Sequence, residues 1–172
     1  MSARRFAPKI AIVWRFPPHW LVVDAFDRKI LALLQTDNLR TIEAVSQEVG
    51  LSPSACRRRM AAMRADGTIV ADVSIVNRDL LGPSLMVLAL VSLDRDTNEA
   101  HRSFRKLVNS LPEISHVYLV TGSADYVLTI TVADMLAYER FAEATVMAAP
   151  DVRRTETLVV MARIKAQTWL PL

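Results

Sequence analysis

Glycine is scarce in this chain: four residues in 172, at positions 50, 67, 82 and 122. That scarcity excludes a Gly-rich phosphate-cradling loop, which needs several glycines so that backbone can approach phosphate. The single cysteine, Cys56, excludes an intramolecular disulfide and any cysteine-rich zinc site, so a reducing, cytoplasmic setting is expected. Three histidines, His19, His101 and His116, fall too far apart for ligand spacing, and no metal or cofactor is expected. A long apolar run is also missing. Ile10 to Trp14 is interrupted by Arg15, Pro17 and Pro18, too soon for a secretory core or a membrane span, so no membrane association is expected. Catalytic groups are thin as well: Ser123, Asp125 and His116 surround one hairpin without a nucleophile elbow or oxyanion site. The chain is therefore read as a non-enzyme with no catalytic residues.

What is present is the composition of a folded protein, 52% hydrophobic and 23% charged, with length enough for two small cores. The net charge of +3 divides unevenly. Residues 1–82 hold 12 Lys and Arg against 8 Asp and Glu, whereas residues 83–172 hold 9 against 10. A polyanion-binding surface, if there is one, belongs to the first half.

Residues 1–22 show neither periodicity nor caps, and Pro17-Pro18 blocks a helix. They form an extension, either an arm or the product of an upstream start codon. From Asp24, Phe26, Ile30, Leu33 and Leu34 share a helical face. After a break, Ile42, Val45 and Val49 do the same and stop at Gly50. Ser52 is a good N-cap, Pro53 suits the first helical position, and Cys56, Met60 and Met63 mark the buried side of a third helix ending before Gly67. Three short helices with a four-residue turn at Val49 to Ser52 make a helix-turn-helix. Ile69 to Val76 reads as β, which would make the motif winged, and Gly82-Pro83 marks a boundary. Beyond it the pattern gives strand 85–93, a helix carrying Phe104, Leu107, Val108 and Leu111, strand 114–121, strand 126–132, a helix capped by Asp134, and strand 156–164. The expected architecture is α+β: a winged helix-turn-helix over residues 23–82, followed by a ferredoxin-like βαββαβ domain over residues 83–172.

The third helix carries the sharpest chemistry. A helix turns about 100° per residue, so Arg57, Arg58 and Arg59 cannot share a face. Taking the core direction from Cys56, Met60 and Met63, Arg58 and Ser54 project away from the core, with Arg57 and Arg59 on the two flanks. Such a helix can enter a groove of double-stranded DNA. Arg58 would meet guanine edges with Ser54 assisting, the flanking arginines would meet phosphate walls, and Ser52 with the helix N-terminus would take another phosphate. A solvated arginine face is the competing reading.

The stretches DRKILALLQTD, VGLSPSACRRRMAAMRADGTIV, VYLVTGSADYVLTITVADMLAYERF and RRTETLVVMARIK, in that order from about Val23 to the end, resemble the Lrp/AsnC family, the leucine-responsive and asparagine-operon regulators. The resemblance implies dimers whose paired helix-turn-helices bind DNA, often assembled into octamers, with effector amino acids bound between C-terminal domains. It implies DNA contacts at Ser52 and Ser54 and a commonly basic position at Arg59, while Arg57 and Arg58 fall where members vary. This chain departs from the pattern in two places. Ser123 stands where the family usually has an acid after the loop glycine, and Thr41 lacks the Glu three residues on that would complete a capping box.

The effector loop Gly122 to Tyr126 is placed in a hairpin between central strands. Asp125 is its only acid and can hold an ammonium, while Ser123 with Thr155 or Thr157 can bind a carboxylate once a neighbouring subunit closes the pocket. The competing role for Asp125 is to cap the turn. Assembly is expected on a sheet face that helices leave uncovered, with Val87, Val91, Val127 and Val159 as its apolar residues. Function is therefore expected to be sequence-specific transcription regulation in response to an amino acid or related small metabolite. An architectural nucleoid-type binder without effector control and a free-standing metabolite-binding module remain open alternatives.

Overall fold

The computed structural model describes residues 23–167 and 169–172, so the expected extension at 1–22 lies outside the described residues. The chain divides into two units, residues 23–76 with 165–172, and residues 77–164. In the first unit, α1 spans Ala25–Thr36, α2 Ile42–Val49 and α3 Pro53–Ala65. Asp24 caps α1, accepting from the N–H of Phe26 and Asp27 while the Asp27 carboxylate accepts from the Asp24 N–H. That reciprocal box satisfies donors that the first helical turn leaves unpaired. Thr41 caps α2 through the Ala44 N–H even without its Glu partner, and Gly50, at φ 77°, ends that helix in the left-handed conformation. An L side chain there would be strained, so glycine permits the sharp entry into Ser52. Ile30, Val45, Val49, Cys56, Met60 and Met63 form the buried core of this unit. The C-terminal segment returns to it: Gln35 donates from Nε2 to the Leu170 carbonyl at 3.1 Å and accepts the Leu170 N–H at 2.6 Å.

The second unit contains β1 (Leu85–Leu93), α4 (Asn98–Val108), β2 (Ile114–Leu119), β3 (Tyr126–Val132), α5 (Met135–Ala144) and β4 (Val152–Val159). Its strands lie in the order β2-β3-β1-β4, every neighbouring pair antiparallel, which is the ferredoxin-like βαββαβ arrangement. Val87, Ala89 and Val91 of β1 pack with Tyr126, Leu128 and Ile130 of β3 against Phe104 and Val108 of α4 and Tyr138 and Ala142 of α5.

Four expectations are corrected by this geometry. Ile69 to Val76 forms no strand, and Val70, Val73, Ile75 and Val76 are exposed; a strand requires a ladder partner, and the described residues supply none. The last strand is 152–159, starting four residues earlier than its apolar run implies, because pairing with β1 sets its length. The loop before Tyr126 joins edge strand β2 to central β3 rather than two central strands. Val87 and Val91 are fully buried beneath the helices, and Val159, paired with Val87, shares their side of the sheet. Side chains alternate along a strand, so the face that neither helix covers keeps Val127 as expected and carries Leu88, Leu90, Tyr118 and Leu158 in place of the other three valines.

Candidate nucleic-acid interface and effector loop

The Ser52 hydroxyl accepts the Ala55 N–H at 3.3 Å and lies 3.1 Å from the Ser54 hydroxyl, so two serines gather at the open end of α3. Pro53 at the first helical position has no N–H to leave unpaired there. Arg57 and Arg58 are exposed, and among the described residues neither pairs with a carboxylate. They are free to meet an external anion. Exposed Ala61, Ala62 and Ala65 continue that side of the helix, so nothing bulky beyond the arginines keeps a partner away.

Arg59 is different. Its Nη1 donates to Asp24 Oδ2 at 2.7 Å and to Asp27 Oδ1 at 2.8 Å, and its guanidinium carbon lies 5.7 Å from the Phe26 ring centroid. The Asp27 and Asp24 partners stabilise the protonated guanidinium, raising its pKa further. Asp24 in turn is held below the ordinary Asp value, first by the Asp27 N–H, whose effect desolvation opposes, and then by the hydrogen bond and charge of Arg59. Arg59 is therefore turned towards α1 rather than outward as the flank position implies: it lies only about 70° from the core direction, close enough to reach back to α1. The sequence reading missed Asp24 and Asp27 as its partners, although the Asp-x-x-Asp spacing at a helix start was a usable signal.

The six effector candidates do not converge within one chain. Gly122, at φ 127°, opens the loop, and the Ser123 carbonyl accepts from the Ser92 hydroxyl at 3.3 Å. Asp125 accepts the Leu93 N–H on Oδ2 at 2.7 Å, while its own N–H donates to the Val91 carbonyl at 2.9 Å. Its carboxylate thus ties the loop to β1, the turn-holding role. Tyr126 is buried: its hydroxyl lies 2.7 Å from His101 Nδ1, whose Nε2 lies 2.9 Å from Asp96, and its ring packs on Phe104. Burial pushes the Tyr126 phenol pKa up, opposed by the charge of Arg105 and reinforced by that of Asp125. Thr155 sits across β1 from Tyr126 with Val91 between them, and its hydroxyl oxygen is buried without a partner. Thr157 bonds the Tyr138 hydroxyl at 2.7 Å and lines, with Met135, Glu139 and Met147, a cleft of about 460 Å³. His116, on the uncovered face of β2, meets neither Ser123 nor Asp125; its Nδ1 lies 3.0 Å from the Ser115 hydroxyl.

Residues 23–64 match the AsnC-type helix-turn-helix domain, and residues 86–170 match the Lrp/AsnC ligand binding domain. The chain belongs to the Lrp/AsnC family of transcriptional regulators. A leucine-responsive regulatory protein of Escherichia coli K12 is 35% identical over 143 residues, spanning 83% of this chain and 87% of that protein. An HTH-type transcriptional regulator of Sinorhizobium fredii is 36% identical over 150 residues, 87% of this chain and 89% of its own. A transcriptional regulator of Neisseria meningitidis, solved in complex with L-Met, superposes with a TM-score of 0.80 at 30% identity, covering 86% of this chain and 96% of the other. As an Lrp/AsnC protein the chain has its DNA-binding motif in α1 to α3 and its ligand-binding domain in the ferredoxin-like unit. No helix among the described residues is long and apolar enough to cross a membrane.

Proposed function

We propose that this Lrp/AsnC protein is a cytoplasmic, sequence-specific DNA-binding regulator without enzymatic activity, acting as a homodimer, with an octamer as its higher assembly, and answering to an amino acid or related small metabolite. The observation that carries the DNA-binding part is the outer face of α3, where two serines and two carboxylate-free arginines surround an alanine-lined surface. Ser52 takes backbone phosphate, and Ser54 assists Arg58. Arg58, opposite the core, takes a guanine edge, and Arg57 takes the groove wall. Dimer formation is supported by the uncovered sheet face, where Leu158 and Tyr118 are 44% and 53% exposed beside Leu88, Leu90 and Val127.

The effector role of the second unit rests on family membership and on the relative seen with L-Met. A pocket for it needs the neighbouring subunit, because β1 separates the Gly122 to Asp125 loop from Thr155 and Thr157. In this reading Gly122 and Ser123 present backbone and hydroxyl groups to a carboxylate. Asp125 uses Oδ2 to hold the loop and keeps Oδ1 for an ammonium. Footprinting on the gene's own promoter region with excess competitor DNA at fixed salt tests the first part, and calorimetry with the twenty amino acids and their 2-oxo acids tests the second. Equal affinity for unrelated duplexes would leave an architectural binder, and no heat with any effector would remove the ligand response.

A further inference from the structure

We propose that Arg59 is a positioning residue for DNA binding: clamped between Asp24 and Asp27, it fixes the rotation of α3 about its own axis and thereby the aim of Arg58. The role rests on the DNA-binding reading above and adds to it a residue that touches no DNA. One guanidinium nitrogen spans two carboxylates, at 2.7 and 2.8 Å, and both carboxylates are already fastened. Asp24 Oδ1 receives the N–H groups of Phe26 and Asp27, each at 2.8 Å, and Asp27 Oδ2 receives the Asp24 N–H at 3.4 Å. All four oxygens are engaged, so the acceptors are rigid. Among the described residues these are the only ion pairs joining α3 to α1 or its cap, and Phe26 closes the third side beneath the guanidinium.

Beyond these ion pairs the helices meet through a core of six buried side chains with partly buried apolar residues packed against it, contacts that set no angle as sharply as two short hydrogen bonds do. Rotating α3 by about 20° carries a point on its outer radius of about 5–6 Å through about 2 Å. A donor–acceptor distance spans only about half an ångström, so that rotation separates Arg58 from a base edge. Swinging Arg59 out to a phosphate would instead strand two carboxylates, of which Asp27 has a side chain only 16% exposed.

Full-length Arg59→Gln and Asp24→Asn are titrated against duplex DNA over a salt series, with the folded fraction of each measured alongside. Asparagine keeps the N-cap and removes the charge that holds Arg59, so this variant separates aiming from capping and stands in if Arg59→Gln fails to fold. The expected result is several-fold weaker binding by the folded fraction of both, with an unchanged slope of log affinity against log salt. A slope reduced by about 0.9 for each subunit in Arg59→Gln identifies lost phosphate contacts and overturns the proposal. Tighter binding by Asp24→Asn overturns it too, because a released Arg59 would then be serving DNA. Unchanged affinity of the folded fraction reduces the clamp to a stability element and also overturns it. A wild-type chain that binds no duplex refutes the underlying DNA-binding reading, and the clamp's role falls with it.

Discussion

Substituting Arg58 by Ala removes the side chain that points most directly away from the helix-turn-helix core, and its effect is confined to recognition. Arg58 is exposed and has no carboxylate partner among the described residues, so its loss leaves the core of Ile30, Val45, Val49, Cys56, Met60 and Met63 intact. Surface substitutions of this kind change stability by no more than about 0.5 kcal/mol. A bidentate contact to a base contributes about 1 to 3 kcal/mol of discrimination, which is about 5- to 150-fold per half-site. A symmetric dimer carries the substitution twice, so the loss at a preferred palindrome approaches about 2 to 6 kcal/mol, while binding to unrelated duplexes falls by little more than the two lost cations. The assay is a selection of bound sequences from a randomised duplex pool at fixed salt, run on wild type, Arg57→Ala and Arg58→Ala, with thermal unfolding as the control. Matching losses at preferred and random sites for Arg58→Ala, or identical profiles for the two variants, would refute the assignment of Arg58 to base edges.

Three further outcomes follow from the packing and the electrostatics. Leu90→Glu places a carboxylate on the uncovered sheet face opposite Val127, and is expected to yield a folded monomer by sedimentation; a dimer of unchanged dissociation constant would move the interface elsewhere. The Asp24 pKa is depressed in the folded state, so its stabilisation is complete above the ordinary Asp range near 3.8 and is lost as pH falls through its lower folded value. Asp24→Asn should flatten that acid limb of a melting-temperature series, and overlapping limbs for variant and wild type would contradict the linkage. Gln35→Ala breaks both hydrogen bonds to Leu170, and is expected to speed tryptic cleavage after Lys165; an unchanged rate would mean that the segment is held by something other than the Gln35 amide.

The helix-turn-helix was legible because its signals are local. Ser52, Pro53 and Gly50 each act through bonds within four residues, and the 3.6-residue recurrence of Cys56, Met60 and Met63 matches the core that forms. Strand faces were less legible. In β1, Leu85 to Leu93, both parities are apolar apart from Ser92, so alternation could not tell Val87 from Leu88; the pairings of Leu88 with Leu158 and of Leu90 with Val127 decide it, and those are non-local. Ile69 to Val76 failed for a related reason. Its β-branched residues favour extension, but a strand is a property of a pair, and the described residues hold no partner for it.

The arginine run shows where angular reasoning stops short. Successive residues differ by about 100°, so Arg57 and Arg59 look equivalent as flanks of Arg58. The core direction lies between Cys56, Met60 and Met63, which puts Arg59 about 25° nearer to it than Arg57, and only that side of α3 meets the capped start of α1. A cation on the near flank finds carboxylates; one on the far flank finds solvent. The same comparison applies to Asp125, whose backbone and side chain both bond to β1, so that its acidity is committed in part to the loop before any effector arrives. A charge near a binding surface becomes available to a ligand only after the fold has taken its share of it. In this chain the fold engages Arg59 through Nη1 and Asp125 through one oxygen, and among the described residues it leaves Arg57 and Arg58 exposed with no carboxylate partner, which is why the proposed DNA-reading role rests on those two.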